Sequence, residues 1–330
     1  MVNQPFYHLR PNKYIDRQMF LNTLIDLNKV LPIYDYTYIG FGSFMFDDFK
    51  LIHQKLNIQK MISMESDKDI YDRAENNKPY SCIDIVNKTS TDFISSFFPS
   101  EENVIIWLDY TKPSEIANQF TDIGSLLPNL NKNDIVRITL NANPEALKKH
   151  GNPKKIHEFR LNELKERIPD FVPSTTKSNE MTEDNYPVTL LKALQNAAFK
   201  YLPTTEYSKN YLYPLYSTRY KDGQQMLVLT AIILDRTETG KEEEIKTALK
   251  NIPQANFIWD KPAHINVPLL TEKEAIEIDQ ILPCENAMDI LREKYTYLFD
   301  GFDDKQDRAI FLKSYIAYYK YYPHFHSVNF

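Results

Sequence analysis

Apolar residues in this chain gather into short continuous runs, and the stretches between the runs carry helical periodicity. Phe20, Leu21, Leu24, Ile25, Leu27 and Leu31 recur on one face, which predicts a helix over residues 13–31 before the connection that starts at Pro32. Apolar runs then predict strands at 36–39, 60–64, 81–86, 103–108 and 134–140. Helices are predicted between them, over 46–56, 68–75, 91–98 and 113–127, the last with Pro113 in its first turn. Strands that are apolar throughout, alternating with helices, belong to a parallel sheet covered on both faces. Right-handed crossovers make that an α/β, doubly wound sheet.

The second half changes character. Residues 144–186 are polar, with one helix predicted over 156–167 and a loop over 174–185. A helix over 187–202 precedes two β-rich runs, 211–220 and 224–234, joined through Lys221-Asp222-Gly223. An Asp-Gly pair between such runs is a strong hairpin signal, so the mostly parallel sheet is expected to end in an antiparallel hairpin. Beyond residue 236 the pattern is mainly helical. Thr271 and Glu274 have the spacing of a capping box for a helix reaching Ile281, and further helices are predicted over 286–299 and 304–322. In the last of these, Phe311, Tyr315, Tyr318, Tyr319 and Tyr322 recur at helical spacing. Such a stripe either packs into the fold or forms an interface with a second copy or another protein.

Composition narrows the function classes. Hydrophobic residues make up 42% and charged residues 25% of the 330, which is globular composition and not that of a disordered chain. The net charge of −6 gives no basic footprint for a general nucleic-acid binder. Two cysteines, Cys82 and Cys284, cannot build a disulfide framework or a four-thiolate zinc site. The seven histidines show no metal-ligand spacing, so no metal site is assigned. His8 and His264 are candidate bases if the terminal regions cover a cleft. The N-terminal MVNQPFYHLRPNKYIDR lacks an apolar h-region, and no run approaches the roughly 18 apolar residues of a membrane span. The expectation is a soluble cytoplasmic protein.

Candidate chemistry sits where strands end. Gly40 and Gly42 follow the first strand, where paired glycines let the backbone turn tightly and approach a ligand; a purely structural turn is the alternative. Glu65 ends the second strand, a place from which a carboxylate can accept hydrogen bonds from both ribose hydroxyls. Asp109 and Tyr110 end the fourth strand, where the ligand crevice of a doubly wound sheet opens. Asp109 there can be a general base, a metal ligand, an orienting group or a helix cap. Asn141 and Asn143, at the end of the fifth strand, are conceivable oxygen ligands for Mg²⁺ beside Asp109 but are better explained as turn residues. Arg10, Lys13 and Arg17 form a basic cluster at the start of the first helix.

Residues 35–235 resemble a class I S-adenosylmethionine-dependent methyltransferase: five βα units, a glycine turn after strand one, acids after strands two and four, and a closing hairpin. More narrowly, the chain is similar to a bacterial family of O-methyltransferases. The matching stretches are Arg10-Pro-Asn-Lys13 with Arg17, Tyr38-Ile-Gly-Phe-Gly-Ser43, Asp48-Phe49, Met61-Ile-Ser-Met-Glu65, Trp107-Leu-Asp-Tyr110 and the Tyr-rich segment Tyr315 to Pro323. The resemblance implies an N-terminal helical segment (1–32), a Rossmann-like cofactor-binding domain (33–236) and a mainly helical C-terminal region (237–330). It implies S-adenosylmethionine as cofactor, with Gly40, Gly42 and Ser43 along its methionine and ribose, Glu65 on the ribose and Asn87 at the adenine. Asp109 and Tyr110 become the catalytic candidates. Arg10, Lys13 and Arg17 become candidates for closing the site or holding an acidic substrate. Tyr38 stands where the wider class has an acid, and Phe44 where it has a third glycine. Strand four ends in Leu-Asp-Tyr-Thr, unlike the motif of amino-group nucleic-acid methylases, which disfavours a flipped base as acceptor. Two other readings compete. A catalytically silent scaffold would keep the sheet without the chemistry. A nicotinamide-dependent reductase would need a glycine where Met45 stands.

Overall fold

The computed structural model describes residues 10–97, 102–147, 153–203, 205, 209–294 and 305–323. Contacts gather the chain into two compact units. The larger comprises residues 21–219 and 224–263, and the smaller falls within 1–20, 220–223 and 264–330.

The larger unit is built on the expected sheet. Its strands are β1 (Thr37–Gly40), β2 (Lys60–Met64), β3 (Ile83–Val86), β4 (Val104–Asp109), β5 (Ile135–Asn141), β7 (Gln225–Asp235) and all but the last two residues of β6 (Asn210–Lys221). They lie in the order β3-β2-β1-β4-β5-β7-β6, and the short β8 (Ala263–Ile265), which starts at the unit's last residue, ends the order. β1 to β5 pair in parallel, while β7 runs antiparallel to β5, with Ile135 opposite Ile232 and Asn141 opposite Met226.

Four helices lie in the connections: α2 (Asp47–Leu56), α3 (Lys68–Asn77), α4 (Ser90–Ser95) and α5 (Ile116–Leu126). A 3-10 turn at Pro113–Glu115 precedes α5. The helices α6 (Ile156–Arg167) and α7 (Tyr186–Tyr201) follow β5. The 174–185 loop carries a 3-10 turn at Ser178–Glu180.

Strand alternation sorts the sheet into two layers. Ile106 and Leu108 of β4, Val136 and Ile138 of β5, and Leu229 and Ala231 of β7 join a buried cluster with Phe120 and Ile123 of α5 and Leu190 and Leu194 of α7. The intervening residues Trp107, Arg137, Thr139 and Thr230 make the other layer partly polar. The Arg137 side chain is fully buried; it donates to Thr230 Oγ1 at 2.7 Å and lies 4.5 Å from the centre of the Trp107 ring. Trp107 Nε1 donates to Thr139 Oγ1 at 3.0 Å. These cross-strand contacts tie β4, β5 and β7 in one register. The helix α8 (Lys241–Ala248), which the sequence pattern did not single out, starts after Gly240 at φ +87°.

The helix α1 (Pro11–Leu27) begins in the smaller unit and ends in the larger. Its first turn is capped from far along the chain. Lys13 N–H donates to Asp222 Oδ2 at 2.7 Å, and Asn12 Nδ2 donates to Asp222 Oδ1 at 2.8 Å. Val267 N–H donates to Asn12 Oδ1 at 2.9 Å. The carboxylate thus accepts one backbone N–H of the first turn at the positive end of the helix. Gly223, at φ +115°, supplies the left-handed residue that the turn requires.

The smaller unit also holds α9 (Glu272–Asp279), α10 (Ala287–Lys294) and α11 (Lys305–Tyr318), the last extended by a 3-10 turn at Tyr319–Tyr321. The capping box forms: Thr271 N–H donates to Glu274 Oε2 at 2.8 Å, and Glu274 N–H donates to Thr271 Oγ1 at 3.3 Å. Residues 295–299 and 304 of the predicted helices lie outside the described residues. Tyr315, Tyr318 and Tyr322 are buried in the chain's own fold. Tyr315 donates to Asp279 Oδ1, and Tyr322 donates to the Pro268 carbonyl, both at 3.0 Å. No helix among the described residues is long and apolar enough to cross a membrane.

Asp222→Ala removes two acceptors from a helix start. It is expected to cost about 1–2 kcal/mol and to speed amide exchange in the first turn of α1. Urea denaturation and hydrogen exchange followed by mass spectrometry read the two effects. Unchanged exchange at Lys13 would show the cap to be dispensable.

Candidate active-site cleft

The ends of β1 to β4 come together at one edge of the sheet, and the order β2-β1-β4 places the topological switch between β1 and β4. A cleft of about 410 Å³ opens there, lined by Phe41 after β1, Met64 and Glu65 of β2 and its end, Thr89 to Thr91 before and in α4, and Asp109 and Tyr110 at the end of β4.

The turn after β1 is tightly specified. A Cβ on Gly42 would sit 2.6 Å from Ser63 Oγ and 2.8 Å from Phe46 Cδ1, both within buried residues, so only glycine fits. Gly42 N–H donates to Ser63 Oγ at 3.0 Å. Ser43 and Phe46 take left-handed backbone, at φ 49° and 53°. The outcome is that the Ser43 N–H points at Glu65 and donates to Oε1. At Gly40 a Cβ would come within 3.2 Å of the Tyr38 hydroxyl.

The main chain of Glu65 is held at both its N–H and its carbonyl. Its N–H donates to the Val86 carbonyl at 3.0 Å, and Asn87 Nδ2 donates to its carbonyl oxygen at 2.7 Å. Burial pushes its carboxyl up to about 7; the Ser43 N–H opposes that shift, and Asp67 adds to it. Desolvation therefore outweighs the hydrogen bond.

On the other side of the cleft, Asp122 of α5 is a hub. It accepts from Tyr110 Oη at 2.8 Å, Ser90 Oγ at 2.6 Å and Thr91 Oγ1 at 2.7 Å. These bonds fix the end of β4 to the start of α4. Burial, and next the Asp122 carboxylate, hold the Tyr110 phenol well above its ordinary range. Tyr110 is thus a neutral donor that positions the wall. Asp109 is partly exposed, in register with Thr139, and lines the cleft.

The structure brings Gly40, Gly42, Ser43, Glu65, Asn87, Asp109 and Tyr110 to one edge of the sheet. Arg10, Lys13 and Arg17 belong to the smaller unit, and the side chains of Lys13 and Arg17 are buried. His264 also belongs to that unit, and His8 lies outside the described residues. Asn141 Oδ1 accepts from Asn143 N–H at 3.1 Å, and Asn143 Oδ1 accepts from Glu145 N–H at 3.0 Å, so both oxygens stabilise the turn. Among the described residues, no group of three or more His, Cys, Asp or Glu side chains could hold a metal ion. Sequence reasoning missed Ser63 and Asp122. Each left a signal: a polar residue inside an apolar strand, and an acid on the apolar face of a helix.

The profile of a family described as "Putative O-methyltransferase" matches residues 5–330. A search of curated proteins gave no match. Among solved structures, Trm1 from Pyrococcus horikoshii, in complex with S-adenosyl-L-methionine, aligns at 11% identity over 86% of this chain and 75% of its own, with a TM-score of 0.46. A Listeria monocytogenes protein described as a "putative S-adenosylmethionine dependent methyltransferase" aligns at 12% identity over 64% of this chain and 97% of its own, with a TM-score of 0.35.

The raised Glu65 carboxyl has a consequence for stability. Between about pH 4.5 and 7 the folded state binds a proton that the unfolded state has released, so Glu65 lowers stability as pH rises through that window. Glu65→Gln keeps an acceptor for Ser43 and removes the charge. Allowing for the part of the group in contact with water, the variant is expected to be about 1–2 kcal/mol more stable than the parent at pH 8. At pH 4.5 the two should match. Denaturation at both pH values measures the difference. A variant less stable than the parent at pH 8 would contradict this account of the carboxyl.

Proposed function

The chain belongs to this O-methyltransferase family, and on that premise we propose that its larger unit binds S-adenosylmethionine in the β1–β4 crevice and directs its methyl group to an oxygen nucleophile. The observation that carries the reading is the Glu65 carboxyl, kept half out of water at the end of β2 beside a turn that excludes any Cβ at Gly42. A carboxylate so placed suits a pair of neighbouring hydroxyls, which would restore the hydrogen bonds it has lost to water. When bound, the cofactor's sulfonium supplies an electrophilic methyl group.

The chain's own residues do the rest. Gly40 and Gly42 let the backbone come close to the methionine and ribose, with Ser43 holding Glu65 in place. Glu65 accepts from the ribose hydroxyls. Asn87 and the start of α4 receive the adenine. Asp109 takes the proton from the acceptor hydroxyl, and Tyr110, fixed by Asp122, keeps the wall in position. Positioning and exclusion of water lower the barrier without a covalent enzyme intermediate.

The test is calorimetric titration with S-adenosylmethionine at pH 6 and pH 8. Because hydroxyl donors favour the ionised carboxyl, the parent should bind up to about tenfold more tightly at pH 8. Glu65→Gln should bind about ten- to hundredfold more weakly at pH 8 and lose the pH dependence. A folded Glu65→Gln protein with parental affinity would overturn the assignment, as would binding of NAD in place of S-adenosylmethionine.

A further inference from the structure

The end of the sheet remote from the cleft carries a second concavity. β7 runs against β5, so its last residue, Asp235, and Arg236 after it lie where the parallel strands begin. There the start of β6, the start of α8, the end of α7 and residues 257–259 enclose a pocket of about 290 Å³.

Its walls are aromatic. Tyr211 and Tyr213 meet edge to face, with ring centres 6.1 Å apart and planes at 78°. Phe257 stacks on Tyr213 at 6.0 Å and 18°, and Trp259 completes the lining. Phe257 takes left-handed backbone, φ 57°, and its N–H and that of Asn256 both donate to the Leu215 carbonyl at 3.2 Å. A bulky residue held in that region is strained, and such strain collects where a side chain must be presented. Phe199 and Ile258, also lining the pocket, are 58% and 53% exposed.

The floor is acidic. Glu242 Oε1 accepts from the Tyr211 hydroxyl at 2.5 Å, and among the described residues no cation stands within ion-pair distance of it. The Tyr213 hydroxyl is buried close to the same carboxylate. Burial, and then the Glu242 carboxylate, push that phenol up to about 12. One cation already uses the rings: the Arg236 guanidinium lies 4.5 Å from the centre of Tyr211.

Three ligand chemistries can be weighed. An anion would meet Glu242. A neutral apolar group would leave that carboxylate without compensation for lost water. A cation with methyl groups would satisfy both the ring faces and the carboxylate, and it needs no hydrogen-bond acceptor from the pocket. We propose that this pocket binds a small organic cation of trimethylammonium type, with the rings of Tyr211, Tyr213 and Trp259 around it, Glu242 balancing its charge and Arg236 as the resident cation it displaces.

The protein has two tryptophans, and Trp107 is buried in the sheet, so emission that changes on titration reports Trp259. The full chain is titrated with choline, followed by tryptophan emission and by saturation-transfer NMR on the choline methyl protons. Saturable binding is expected. Glu242→Gln should weaken it about tenfold, and Arg236→Gln should strengthen it several-fold by removing the competitor. The uncharged isostere 3,3-dimethylbutan-1-ol should bind at least about tenfold more weakly than choline. Amide spectra of each variant establish that it is folded. No saturable signal by either method overturns the proposal. So does equal binding of the uncharged isostere, or a loss of binding in Arg236→Gln, which would show that Arg236 builds the pocket and is not displaced from it.

Discussion

The turn after β1 and the end of β2 are organised around one desolvated carboxyl. Glu65 sits at the end of β2, and the turn after β1 is shaped so that the Ser43 N–H reaches it. That shape requires left-handed backbone at Ser43 and Phe46, and it requires Gly42, because Ser63 Oγ and Phe46 occupy the place of a Cβ. A single backbone donor does not repay the loss of water, so the carboxyl rises to about 7. The site therefore carries a stability cost that a hydroxyl-bearing ligand would offset. Preorganisation of this kind, with strain kept in the protein, is characteristic of binding sites on strand ends.

The rest of the larger unit keeps that edge rigid. Asp122 draws Tyr110, Ser90 and Thr91 onto one carboxylate, so the end of β4 and the start of α4 cannot move independently. Behind the cleft, Arg137, Trp107, Thr139 and Thr230 lock β4, β5 and β7 through buried polar contacts. A slip of one residue would turn Arg137 into the apolar layer of Phe120 and Leu190, which would be prohibitively unfavourable. The buried arginine thus opposes slippage of the register that places Asp109 beside the crevice.

The sheet and the glycine turn were legible because their signals are local. β2 spans Lys60–Met64 and α6 spans Ile156–Arg167, the limits that periodicity predicts. Gly40, Gly42, Glu65 and Asp109 were readable because each stands at a strand end. What escaped was long-range. Ser63 matters because of Gly42, and Asp122 because of Ser90, Thr91 and Tyr110; those pairings appear only once strands and helices are assembled. Asp222 announces a turn in the sequence, but its bonds to Asn12 and Lys13 span about two-thirds of the chain. Lys13 and Arg17 read as part of a basic cluster, and charge alone does not reveal that both side chains are buried. Of the predicted C-terminal stripe, Tyr315, Tyr318 and Tyr322 are buried, while Phe311 and Tyr319 are only partly covered.

The most direct test of this account is a crystal structure with S-adenosylhomocysteine bound. The expected result is a nucleoside in the β1–β4 crevice, with both ribose hydroxyl oxygens about 2.5–3.0 Å from the Glu65 carboxylate and the backbone of Gly40 to Gly42 in contact with the ligand. A nucleoside bound elsewhere, or in the crevice with its ribose turned away from Glu65, would contradict the central claim.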